Sequence, residues 1–204
     1  MGGTYEPIDS VRGITNKSSG KMGLELAKEA YIRGADLTLV VANVTVDIPS
    51  VFDVIHVETT REMKDAVLNL ICDYDIFISV AAVSDFEFAR KSDKKIDSSA
   101  ALSLDLKPTA KIIRHIKKNN PEIFLVGFKA EFNVSREEII NSAKKQIVDA
   151  GTDLVIANDI SKEGCSFGSD NNEVLIIDEN VLSVPLASKR EIAKTILDII
   201  SKKI

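Results

Sequence analysis

Asn16, Ser18, Ser19, Gly20 and Lys21 lie within six positions of one another, just before an apolar stripe of Met22, Leu24 and Leu26. A short polar turn that opens a helix presents free backbone N–H groups, and the helix dipole there favours an anion. Phosphate binding is the chemistry such a turn can serve, with Lys21 adding charge. It can also do less. Ser-Ser-Gly caps a helix without any ligand, and the stretch alone leaves both readings open. The turn is neither a G-x-G-x-x-G fingerprint nor a P-loop.

Three other groups have chemical potential. Each follows a strand-like run: Ala81-Ala82-Val83-Ser84-Asp85-Phe86, Gly127-Phe128-Lys129-Ala130-Glu131, and Asn158-Asp159. Small residues let a ligand approach the backbone, and an acid there can hold a metal–phosphate complex. The bland alternative is a set of polar strand-end turns. A charged segment, 87–100, carries Arg90, Lys91, Lys94 and Lys95. It reads as a solvated loop or as a lid that closes over phosphates. His56 and His115 are the only histidines and stand apart from other ligand types. That argues against a structural zinc and against a Ser-His-Asp triad.

The composition bounds the class. The chain has 204 residues, 45% of them hydrophobic, and a net charge of −5. This is enough for one sizeable core, and the charge argues against nucleic acid as a partner. Apolar runs such as "LTLVVANV" are far shorter than the roughly 20 residues that span a bilayer, which argues against a membrane. The first residues lack the basic-then-apolar pattern of a signal peptide. Cys72 in a helical pattern and Cys165 in a loop suggest a reduced, cytoplasmic protein.

The elements that must position these groups alternate. Residues 21–33, 60–72, 135–151 and 188–203 read as helices. Ser135 with Glu138 forms a capping box, and Thr59 or Thr60 opens the second helix. Pro108 is placed at the start of a helix through "PTAKIIRHIKKN". The runs "ADLTLVV", "DVIHVET", "DIFISVAAV", "EIFLVGFKAEF" and "DLVIAND" read as strands, and "EVLIIDENVLSVPL" as a hairpin. The expectation is a single α/β domain, a Rossmann-like, mostly parallel sheet with helices on both faces. Residues 97–106 and 173–186 are expected to lie outside that alternation, as a small antiparallel interface element. In such a sheet, ligands bind beyond the carboxyl ends of the strands, where the four groups would meet.

Several stretches together resemble one family: "GGTYEPIDSVRGITNKSSGKMG" at 2–23, "AAVSDF" at 81–86, "KKI" at 94–96, "GFKAE" at 127–131, "ANDIS" from Ala157, and Phe167 to Asn172. In this order they are similar to phosphopantothenoylcysteine synthetase, over essentially the whole chain. The resemblance implies a ligase. It activates 4′-phosphopantothenate with CTP to an acyl-cytidylate, joins it to L-cysteine, and releases CMP and pyrophosphate, with Mg²⁺ escorting the triphosphate. It implies a homodimer with shared sites, and an upstream flavin-dependent decarboxylase domain in a longer bifunctional chain. By the same resemblance, Asn16 holds the activated carbonyl and Arg12 reaches toward the neighbouring subunit's site. Ser18, Ser19 and Gly20 face phosphate. Ala81, Ala82 and Asp85 form the nucleotide rim, with Asp85 beside the metal. Lys95 is the lid lysine. Pro108, Thr109, Ala110, Lys111, Phe128 and Lys129 surround the nucleotide.

Three departures stand out. The family has a strand before "GGT", where this chain has Met1. The lid reads "KKIDSS" rather than "KIKK", keeping Lys95 alone. Two nucleotide-contacting lysines of bacterial members fall on Gln146 and Ala150, while Lys129 replaces a small residue. The last change resembles the eukaryotic branch, which can use ATP. Two other classes remain as alternatives, a nicotinamide-dependent oxidoreductase and a non-catalytic nucleotide-binding module. The first lacks its glycine fingerprint and a Tyr-x-x-x-Lys pair.

Overall fold

The computed structural model describes residues 1–99 and 101–204. In chain order its elements are Tyr5–Pro7 (β1), Gly13–Thr15 (β2), Lys21–Ile32 (α1), Thr38–Val41 (β3), Asp53–His56 (β4), Thr60–Leu70 (α2), Ile76–Ser79 (β5), Phe86–Phe88 (β6), Leu106–Pro108 (β7), Ile113–Asn119 (α3), Phe124–Glu131 (β8), Arg136–Ala150 (α4), Leu154–Asp159 (β9), Asn171–Ile177 (β10), Val181–Ser188 (β11) and Lys189–Ile200 (α5).

The main sheet has the order β11-β10-β9-β8-β5. β5, β8 and β9 run parallel, and β10 and β11 extend the sheet antiparallel. β3 and β4 form a separate parallel pair. Residues 1–4 bridge the two: Ala42 N–H donates to the Met1 carbonyl, Gly3 N–H to Asn43, Ala82 N–H to Gly2 and Thr4 N–H to Ala82.

Strand alternation decides which helix covers which face. Leu154 and Ile156 of β9 join Val174 and Ile176 of β10 under Ile192, Ile196 and Ile200 of α5. Val155, Ala157, Leu175 and Ile177 point the other way, onto Ile139 and Ala143 of α4. A further cluster packs Met63 and Val67 of α2 with Ile116 of α3 and Leu125 of β8. Helices therefore lie on both faces, as expected. Burying each such isoleucine contributes about 1.5–3 kcal/mol. Among the described residues no helix is long and apolar enough to cross a membrane.

Two expectations need correction. Residues 173–186 do not lie outside the main sheet. They make most of β10 and β11, whose strand β10 is buried on both faces. Alternate apolar residues of β10 feed two cores, so the run belongs inside the sheet. Second, Pro108 does not open a helix. It ends β7, opposite Phe86. Thr109 then donates its N–H to Asp85 O at 3.0 Å and its hydroxyl to Ser84 O at 2.5 Å. These long-range bonds tie Thr109 to the hairpin, and the helix starts only after Ile112, its N-cap. Of the strand expected over 97–106, only Leu106 is in one; Ala100 lies outside the described residues.

Candidate functional site

The helix N-termini differ. α2, α4 and α5 each have a complete capping box, from Thr59 with Glu62, Ser135 with Glu138, and Ser188 with Glu191. α1 has none. Its N-cap is Gly20, at φ 81°, with no side-chain cap and no acid in its first turn. The Ser19 hydroxyl accepts only a long bond from Lys21 N–H, at 3.4 Å, so the turn caps α1 more weakly than the serines and threonine of the other three helices do. The first N–H groups of a helix need outside partners, and among the described residues those of Met22 and Gly23 have none, while that of Lys21 has only the long bond to Ser19. The left-handed φ suits glycine, and a side chain at Gly20 would also collide with Val44. The turn is pinned by Thr45 N–H donating to Ser19 O at 3.1 Å.

Asn16 stands beside the rim beyond β5. Its Nδ2 donates to Ala82 O at 3.0 Å. Ala82 is in turn held by Gly2 and Thr4. Asp85, three residues on, is exposed and ion-paired with Lys111. Thr109 ties the same segment down, so Ala81, Ala82, Asp85, Pro108, Thr109, Ala110 and Lys111 belong to one rim. Phe128 packs partly buried against the α5 core, and Lys129 pairs with Glu131 at 3.4 Å. Lys95 is exposed and has no ion-pair partner among the described residues. Arg12 salt-bridges Asp9 at 2.6 Å and donates to Ile96 O at 2.8 Å. Asp159, placed at a strand end with metal in mind, has a structural role. It accepts from Ser161 N–H and Asn133 N–H, and the Ser161 bonds foremost bring its carboxyl down to about 2.

Other functional contacts had no local signal. Lys21 reaches Gly168 O at 2.6 Å and Asp170 at 2.7 Å, tying the Phe167–Asn172 stretch to the start of α1. Lys21 holds the Asp170 carboxyl below its ordinary value. Glu6, buried, accepts from Thr60 N–H at 2.8 Å, and Thr4 Oγ1 accepts from Ser84 N–H at 2.8 Å. The "GGTYE" stretch is thus partly a scaffold for the rim. Gln146 packs its amide against Gly127, and its Nε2 has no partner among the described residues. A concavity of about 530 Å³ lies between Arg61, Glu62, Glu87, Lys91 and Lys107, and contains none of the expected site residues.

The geometry can therefore neutralise and orient an anion at α1, next to an amide donor (Asn16) and an acid–base pair (Asp85 and Lys111). Comparison with known proteins gives the family. The family model for the DNA/pantothenate metabolism flavoprotein C-terminal domain matches residues 1–204. The coenzyme A biosynthesis bifunctional protein CoaBC of Thermococcus kodakarensis is 46% identical over 205 residues, covering 98% of this chain and 49% of that protein. The chain spans about half the length of the curated relatives it matches. The crystal structure of the DNA/pantothenate metabolism flavoprotein from Streptococcus pneumoniae superposes with a TM-score of 0.88 at 27% identity, covering 100% of this chain and 96% of that one. The crystal structure of the C-terminal domain of a CoaBC protein gives 0.82 at 28% identity, covering 99% and 91%. This chain belongs to the DNA/pantothenate metabolism flavoprotein C-terminal domain family.

Proposed function

We propose that this domain is a phosphopantothenate–cysteine ligase that uses CTP. A carboxylate oxygen of 4′-phosphopantothenate attacks the α-phosphorus, the bond to the β-phosphate oxygen breaks, and pyrophosphate leaves. The amino nitrogen of L-cysteine then attacks the acyl carbon, CMP leaves, and the nitrogen gives up a proton. Nucleotidyl transfer needs positioning and charge neutralisation more than acid–base groups. The observation that carries the reading is the uncapped N-terminus of α1, beside Asn16 and the Asp85 rim. Family membership and the CoaBC relatives support it.

In this reading Ser18, Ser19 and Gly20 receive phosphate oxygens, and Asn16 orients the activated carbonyl. Asp85 would hold Mg²⁺. Among the described residues no three His, Cys, Asp or Glu side chains converge as a cage. One carboxylate suits an ion that takes its other ligands from phosphate and water, and when bound it would supply charge neutralisation there. Lys111 and Lys95 would meet the triphosphate, and Phe128 and Lys129 would flank the nucleotide. A cytoplasmic homodimer completes the proposal, with Arg12 facing the neighbour. It is supported by exposed Phe86, Leu102, Leu104 and Leu106 around the β6–β7 hairpin, an apolar strip of the kind that marks interfaces. The resemblance adds a flavin-dependent decarboxylase domain as the fused partner.

The test is a panel of CTP, ATP, GTP and UTP with Mg²⁺, following pyrophosphate. Release that requires 4′-phosphopantothenate, is fastest with CTP, and yields CMP on adding cysteine is expected. Nucleotide binding without phosphopantothenate-dependent release would overturn the proposal. Fastest release with ATP would overturn the CTP assignment alone.

A further inference from the structure

The Asp9 carboxylate is fully buried, and its two oxygens do different work. Oδ1 accepts from Val11 N–H at 2.9 Å and Arg12 N–H at 2.8 Å. Those bonds close the β1–β2 turn together with Ile8 N–H and Asp9 N–H, which donate to Arg12 O at 2.7 and 3.2 Å. Oδ2 accepts from Arg12 Nε at 3.1 Å and Nη2 at 2.6 Å, and from Ile96 N–H at 3.0 Å. Ile96 is far away in sequence and belongs to the lysine-bearing segment. Arg12 Nη2 also donates to Ile96 O at 2.8 Å. Both polar groups of the Ile96 backbone are therefore gripped by one ion pair, its Asp9 carboxylate buried and its Arg12 side chain part-exposed.

The residues before Lys95 are held as well. Ser92 N–H donates to Ile8 O at 3.0 Å. The Ser92 hydroxyl donates to Lys94 O at 2.7 Å and accepts from Lys94 N–H at 3.2 Å. Lys95 thus sits between two anchored residues, with its own side chain exposed. A charged side chain launched from a fixed backbone reaches its target without first ordering a loop.

We infer that Asp9 is a positioning residue, which through Ile96 fixes the point from which Lys95 reaches the nucleotide phosphates. The inference rests on the ligase reading for what Lys95 does there. It gives Arg12 a role within its own chain. Charge-assisted bonds of this kind are the stronger sort, and the grip orders the lid before nucleotide arrives.

The test is Asp9→Asn in the full chain. The amide keeps one acceptor for the turn and replaces Oδ2 with a group that cannot accept from Ile96. Hydrogen exchange at residues 94–97 should quicken at least about 10-fold, with β9 and α5 unchanged as the check on folding. Pyrophosphate release should slow by about 10–100-fold, the scale of a misplaced catalytic group. Lys95→Gln should slow release similarly, and adding Asp9→Asn to it should cost nothing more, since coupled residues are non-additive. Unchanged exchange, or a full further loss in the double variant, overturns the inference. An unaffected Lys95→Gln variant sinks the role given to Lys95, and with it this inference, while leaving the ligase reading intact.

Discussion

The two sides of this molecule solve opposite problems. The C-terminal side, β8 to β11 with α4 and α5, closes its helix starts on itself, although Gln146 Nε2 and Thr152 Oγ1 are buried there without a partner among the described residues. All six residues of β9 are buried, and both helices start with complete capping boxes. The N-terminal side leaves groups open. α1 starts on a bare Gly20, and the rim beyond β5 is built from three-residue strands and long-range tethers. Stability is concentrated where hydrogen bonds and apolar area are both satisfied. In the proposed reading the ligand binds on the open side, where the Met22 and Gly23 N–H groups have no side-chain partner among the described residues.

Breaking the closed side should cost stability alone. Ile196→Ala, in the core under α5, should destabilise by about 2–5 kcal/mol. The urea midpoint should fall while KM for CTP per folded molecule is unchanged. Breaking the open side should do the reverse. Asn16→Asp should lower formation of the cysteine adduct by about 10²–10³-fold, as loss of one aimed donor does. It should still consume a single equivalent of CTP, and its melting temperature should match the parent. Full activity in Asn16→Asp would remove Asn16 from the site.

Two serines sharpen the contrast further. Ser188 caps α5 through Glu191 N–H at 3.2 Å, so Ser188→Ala should cost about 1 kcal/mol in thermal unfolding. Ser19 caps nothing strongly, its hydroxyl lying 3.4 Å from Lys21 N–H. Ser19→Ala should stay within about 0.5 kcal/mol of the parent and instead weaken CTP binding. If Ser19→Ala loses as much stability as Ser188→Ala, the distinction between capped and open ends fails.

How far the sequence was legible follows the same division. The capping box at Ser135 and the alternating apolar strands depend on neighbours within a few residues, so local pattern exposes them; the equally local box at Ser188 was missed. The fold class and helix faces were therefore readable. The delayed start of α3 was not, because Thr109 is held by Ser84 and Asp85 across the β6–β7 hairpin. Nor was the place of β10 and β11, since a short apolar hairpin looks alike at an edge or on its own. Within the site, residue types were visible in "TNKSSGKMG" and "AAVSDF". The contacts that order them, Asn16 to Ala82, Lys21 to Asp170 and Asp9 to Ile96, join distant residues and leave no periodic signal.

A pH-dependent effect is expected in acid. Asp159 belongs to the closed side, and its carboxyl lies at about 2 in the folded chain against about 3.9 unfolded. A lowered acid contributes stability that is complete above the unfolded value and lost as pH falls through the folded one. Asp159→Asn should therefore flatten the stability profile between about pH 4 and pH 2, read by urea unfolding. Above that window the two profiles should run parallel.

The central claim is that the bare start of α1 receives the nucleotide's phosphates, whereas the capped helices do not. Titrating isotope-labelled protein with CTP and Mg²⁺ while following backbone amide resonances tests it directly. Shifts are expected at Ser19, Gly20, Lys21 and Met22 and at the Ala82–Asp85 rim, with none at the starts of α4 and α5. Saturation by CTP with the Ser19–Met22 amides unmoved would contradict it.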